Sequence, residues 1–196
     1  MTPSPLQKTL LALALAAPLS GFAESNVTFA PGGNVPTPIE AEARLDFRVV
    51  IPRVLLLQVG SLNGTVDLVE FDLGTTEPGS GTPVGRTNGA EIPVRVLGNN
   101  GQVSLLVENT GDLSDGAGNS IPWTQIAVTS TTVTGGGVPH PAPNFDGSTL
   151  VPVAGSITNS TANWGFEFAN TAVLAAGSYG GVNTNNGRVT YTASMP

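Results

Sequence analysis

Nucleophilic catalysis needs a nucleophile with a base poised against it, and this sequence offers few bases. His140 is the sole histidine, Lys8 the sole lysine, and cysteine is absent. Pro139 and Pro141 flank His140, which predicts extended backbone and an exposed imidazole. A Ser/His/Asp triad would have to use that residue, and no motif sets a serine against it. With no Cys pair and no His cluster, the ligand sets for zinc and copper are missing. Carboxylate pairs remain. Glu40 and Glu42, like Glu70 and Asp72, lie two apart, so each pair shares one face of a strand. Two acids can cooperate in glycoside hydrolysis, but these occupy the polar side of alternating stretches, where a solvated face is expected. Asp112, Asp115 and Asn119 lie among glycines in residues 111–119, oxygen donors of the kind calcium takes. The closing Glu of an EF-hand is absent, and a tight turn between strands is the competing reading. Trp123 and Trp164 are flat rings on which a sugar could stack. Trp164 alternates with Phe166 and Phe168 and is expected in the core, whereas Trp123, after Pro122 at a strand start, is the candidate ligand contact. No catalytic residue, cofactor or metal site is expected, and the chain reads as non-enzymatic.

The elements that would position these residues begin after the first two dozen. Lys8 precedes an apolar run of Leu and Ala over residues 10–17, and Gly21 and Ala23 place small residues three before and one before a cut. That is the layout of a secretory signal peptide, residues 1–23. The run is shorter than the roughly 20 apolar residues a membrane span requires, and no later stretch reaches that length. Without cysteine, a lipidated N-terminus is excluded. Of the seven basic residues, the six that remain after removal of Lys8 are scattered arginines facing fourteen acids. Such an acidic chain suits neither a phosphate backbone nor nucleic acid in general.

Gly, Thr, Asn, Ser and Val are abundant and charged residues sparse, a composition of strands and turns. Residues 24–38 read as an extension: a short β-prone piece with Val27 and Phe29 on one face, then a Pro/Gly linker. The clearest strand follows. Ala41, Ala43, Leu45, Phe47, Val49 and Ile51 alternate with Glu40, Glu42, Arg44, Asp46 and Arg48. Residues 54–59 are continuously apolar, as in a strand buried on both faces. Residues 65–73 form another strand, with Val69, Phe71 and Leu73 on one side. Ile92, Val94 and Val96 alternate up to an Asn/Gly turn at 98–101, and Val103, Leu105 and Val107 alternate beyond it, predicting a hairpin. Further strands are expected at 123–132, 149–154, 156–162, 164–168, 174–179 and 188–195. About nine or ten short strands without a convincing helix predict an all-β fold: one antiparallel β-sandwich, immunoglobulin-like or jelly-roll-like, over residues 39–196.

The signal peptide, the tethered piece at 25–30, the Gly/Thr/Asn-rich strands and the final alternation of Val189, Tyr191 and Ala193 together resemble exported fimbrial-type (pilin-like) β-sandwich subunits of Gram-negative bacteria. The resemblance is one of layout and rests on no diagnostic motif. It implies that the N-terminal extension donates a strand to a neighbouring subunit by β-augmentation, with Val27 and Phe29 as the inserted side chains. Many chaperone-assembled subunits carry a disulfide; this chain has none.

The expected function is therefore an exported structural or surface-assembly protein, secreted through the periplasm to the cell surface. Its expected partners are copies of itself or another surface protein. The alternative is a secreted module that binds a glycan or a protein through loops 74–90, 110–120 and 133–148, with Trp123 as the contact.

Overall fold

The computed structural model describes residues 25–29, 32, 39–62, 66–89 and 91–196; the expected signal peptide lies outside them. The chain divides at Ile51/Pro52 into two units, so the boundary falls later than the end of the expected linker. In the first unit, residues 39–51 form no helix, strand or turn and belong to no ladder. Thr28 Oγ1 donates to the Glu40 carbonyl at 3.0 Å, and Arg44 pairs with Glu42 at 3.3 Å with both side chains about three-quarters exposed.

The second unit is an all-β, antiparallel sandwich. Its strands are β1 (Leu55–Val59), β2 (Val84–Gly85), β3 (Ile92–Gly98), β4 (Ser104–Asn109), β5 (Leu113–Ser114), β6 (Ser120–Ile121), β7 (Ile126–Thr134), β8 (Gly147–Leu150), β9 (Thr158–Phe168) and β10 (Val189–Ser194). One sheet runs β1-β3-β9, with β7 on the far side of β9 and β2 continuing the line of β3. The second sheet runs β10-β4-β8. β5 and β6 form a small ribbon. Among the described residues the one helical element is a 3₁₀ turn at Trp123–Gln125. No helix among the described residues is long and apolar enough to cross a membrane.

The core is drawn from both sheets. β3 contributes Ile92, Val94 and Val96, β4 contributes Leu105 and Val107, and β9 contributes Ala162, Trp164, Phe166 and Phe168, all buried. The hairpin expected between β3 and β4 is not formed. β3 pairs with β1 and β9, while β4 pairs with β10 and β8. Residues 99–103 carry the chain from one sheet to the other, because both apolar faces point inward from opposite sides. The alternation of a hairpin and of such an arch is identical along the sequence. What distinguishes them is distant: Asn99 donates through Nδ2 to the Pro52 carbonyl and accepts through Oδ1 from the Val54 amide, each at 2.8 Å.

β9 joins two stretches that the sequence separates. Its buried face starts with Thr158 and Ser160, both fully buried, and polar residues hide the period. Burial is tolerated because each hydroxyl is bonded: Thr158 Oγ1 donates to the Gly101 carbonyl at 3.2 Å and Ser160 Oγ to that of Gly135 at 2.5 Å. Gly135 has φ +65°, and a Cβ there would collide with the Asn159 carbonyl. Residues 66–73 are extended but ladder-free, held to 86–88 by the Thr87 amide on the Glu70 carbonyl and Asn88 Nδ2 on that of Leu68, each 2.8 Å. The segment expected as a strand at 174–179 is a loop.

Candidate functional site

His140 is not the exposed residue its prolines suggest. It is half-buried, with Phe145 and Trp164 at centroid distances of 4.8 and 4.9 Å and Tyr191 at 5.6 Å. Nε2 and the Tyr191 hydroxyl share a hydrogen bond of 2.8 Å, and buried Nδ1 has no partner. Loss of solvation pushes the imidazole down to about 4, opposed in smaller measure by the Ala142 backbone. Burial also raises the Tyr191 phenol well above its ordinary range. Among the described residues no serine hydroxyl is bonded to His140.

The acids are solvated. Glu70 and Asp72 are exposed while Val69, Phe71 and Leu73 turn inward, as the alternation requires. Among the described residues no group of three His, Cys, Asp or Glu side chains converges. Asp115 spends its carboxylate on its own turn, accepting from the Ala117 and Asn119 amides at 2.7 and 3.0 Å and from Asn119 Nδ2 at 2.6 Å. Those bonds, that of the Asn119 side chain first, hold it below the usual carboxylate range. Residues 115–119 close the β5–β6 ribbon as a turn.

Both tryptophans belong to the core. Trp123 is 8% exposed; its Nε1–H donates to the Gly111 carbonyl at 2.8 Å and its ring lies 4.8 Å from Phe145. Pro122 leads into a 3₁₀ turn that rotates the ring inward. As placed, Trp123 offers no face on which a sugar could stack.

What the structure does gather is an incomplete seam. β1 and β10 each end their sheet, so each has a partner on one side only. Register fixes their inward faces. Leu57 stands opposite Val96 and Val59 opposite Val94; Tyr191 stands opposite Val107 and Ala193 opposite Leu105. The partners on β3 and β4 are buried to 2% exposure or less, yet Leu57, Val59, Tyr191 and Ala193 are only half-buried. The other terminal strands, β7 and β8, differ. The segment linking them fills its own space with Val138 and Phe145, at 0 and 2% exposure. Among the described residues of 52–196 no segment pairs with the free edges of β1 and β10. Residues 54–59, expected to be buried on both faces, thus form a half-exposed edge.

The apolar face of residues 39–51 is equally uncovered. Leu45, Phe47, Val49 and Ile51 are 68, 85, 83 and 75% exposed. Val27 and Phe29, the expected donor pair, are also exposed, at 69 and 86%. The sequence marked 40–51 as a strand, whereas the structure assigns it to no ladder. One signal could have shown it: every polar position from Glu40 to Arg48 is charged, and the stretch lies between a Pro/Gly linker and Pro52.

Comparison of this chain with models of protein families, with curated proteins and with solved structures gives no match.

Proposed function

We propose that the protein is an exported, non-enzymatic structural subunit that joins neighbouring copies at the cell surface by strand addition. The observation that carries this reading is the uncovered alternating face of Leu45, Phe47, Val49 and Ile51. An exposed apolar stretch of this size in an acidic chain is a liability unless something covers it. A strand buried on one face supplies both main-chain hydrogen bonds and alternate side chains for pockets. The acceptor in this reading is the seam between β1 and β10 of a second copy, whose inward residues are apolar and half-buried. Residues 39–51 would span about 40 Å when extended, ample for a six-residue edge such as β10. Burying the four side chains would contribute on the order of 6–12 kcal/mol before the cost of association. The donor assigned to Val27 and Phe29 is thereby moved to Leu45–Ile51, with the earlier pair as an extension of it.

Light scattering and negative-stain microscopy on residues 24–196 test this. Oligomers or filaments are expected, lost on deletion of residues 24–51 or in Phe47→Asp, and retained in a Val27→Asp/Phe29→Asp double variant. A protein that stays monomeric at high concentration, or oligomers indifferent to the deletion, would remove the proposal.

A further inference from the structure

The segment between β7 and β8 threads the sandwich beneath β10. Val138 is fixed there by two donors to its carbonyl, Trp164 Nε1–H at 2.7 Å and the Ser130 hydroxyl at 2.9 Å. Asn109 Nδ2 holds the far end at the carbonyls of Asn144 and Phe145, at 3.2 and 3.1 Å. His140 lies between these anchors, and its Nε2 shares a hydrogen bond with Tyr191, the central inward residue of β10.

We infer that His140 is an acid-operated catch under the acceptor edge, whose protonation loosens β10 and so weakens the seam. The inference rests on the proposed acceptor role of that seam for its biological meaning, but its physics concerns the domain alone. A protonated imidazole carries two N–H donors and a charge. Nδ1 has no hydrogen-bond partner, the Ala142 backbone being the one group that favours its protonation, and its ring neighbours are Phe145, Trp164, Phe166 and Tyr191. No carboxylate faces it from the elements packed around it. On β4, Glu108 is exposed on the side opposite buried Leu105 and Val107. On β9, Glu167 is exposed between buried Phe166 and Phe168. β7 and β10 carry no ionisable group except Tyr191, which is neutral, and Asp146 on the same loop is exposed. The Ala142 backbone offsets only part of the lost solvation, so a positive charge in the pocket is relieved by opening.

The sign follows. The folded imidazole titrates below its unfolded value of 6.5, near 4. The unfolded or opened state therefore binds the extra proton between those limits. Stability is full above pH 6.5, falls as pH drops through the window, and levels off below 4.

Because His140 is the sole histidine, its ring protons report on it without assignment. The test is an NMR titration of the full mature chain from pH 7.5 to 3.5, with amide exchange in β10 followed in parallel and corrected for intrinsic rates. The expected result is an imidazole that titrates well below 6.5, with β10 opening at least about tenfold more populated at pH 4 than at pH 7. His140→Phe, which keeps a ring but cannot be protonated, should abolish that rise. An imidazole titrating near 6.5 with β10 exchange unchanged, or a His140→Phe protein that opens as much as the parent, would overturn the inference. Should His140→Phe not fold, the titration and exchange of the parent chain decide alone. Absence of oligomers at pH 7 would instead remove the strand-addition reading and leave these readouts intact.

Discussion

Asn170 shows how much of this fold hangs on single polar side chains. It is 1% exposed with φ +50°. Its Nδ2 donates to the Glu77 carbonyl at 2.9 Å and its Oδ1 accepts from the Gly79 amide at 2.8 Å, so one amide ties the 77–82 turn to the end of β9. Replacing it by Ala removes both bonds, takes from the turn the side chain that holds its backbone and strains the left-handed backbone. Asn170→Ala is expected to cost about 2–4 kcal/mol in urea unfolding, and a loss under about 1 kcal/mol would show the turn to be independently stable. Nothing in the sequence distinguished Asn170 from the many other asparagines. The same holds for His140. Two flanking prolines describe its backbone, but the aromatic residues that enclose it come from β9 and β10, and no local pattern announces them. Trp123 was ambiguous for a related reason: its environment is set by Gly111 and Phe145, each distant in the chain.

At the scale of elements, strands were legible where one face is apolar and the partner is covered. β3, β4, the aromatic half of β9 and β10 follow their alternation within a residue or two. Pairing was not legible, since alternation defines a face and not a neighbour. Thus β3 and β4, adjacent in sequence, lie in different sheets. The beginning of β9 was obscured by Thr158 and Ser160, whose hydroxyls bond inward to loop carbonyls. That arrangement has a testable cost. Gly135 takes positive φ against the backbone of Asn159 and Ser160, so Gly135→Ala is expected to destabilise the domain by about 2 kcal/mol or more. Thermal unfolding of the variant measures it, and a Tm equal to the parent's would mean that the loop can part from β9.

For the whole molecule, the sandwich was legible from composition and turn spacing, and the seam was not. An alternating stretch reads alike whether or not it enters a ladder, which is why 40–51 was assigned to the domain. Ladder membership is a property of the assembled sheets. The seam along β1 and β10 has a thermodynamic corollary. If a second copy fills it, binding free energy and folding free energy become one quantity, and the stability of a protomer acquires a dependence on how many others surround it. Tm should then rise with protein concentration for residues 24–196 and stay constant for a chain lacking residues 24–51; parallel flat curves would deny that linkage. A dilute protomer, newly made, would be the least stable form the chain ever takes, and crowding among its own kind would complete its folding.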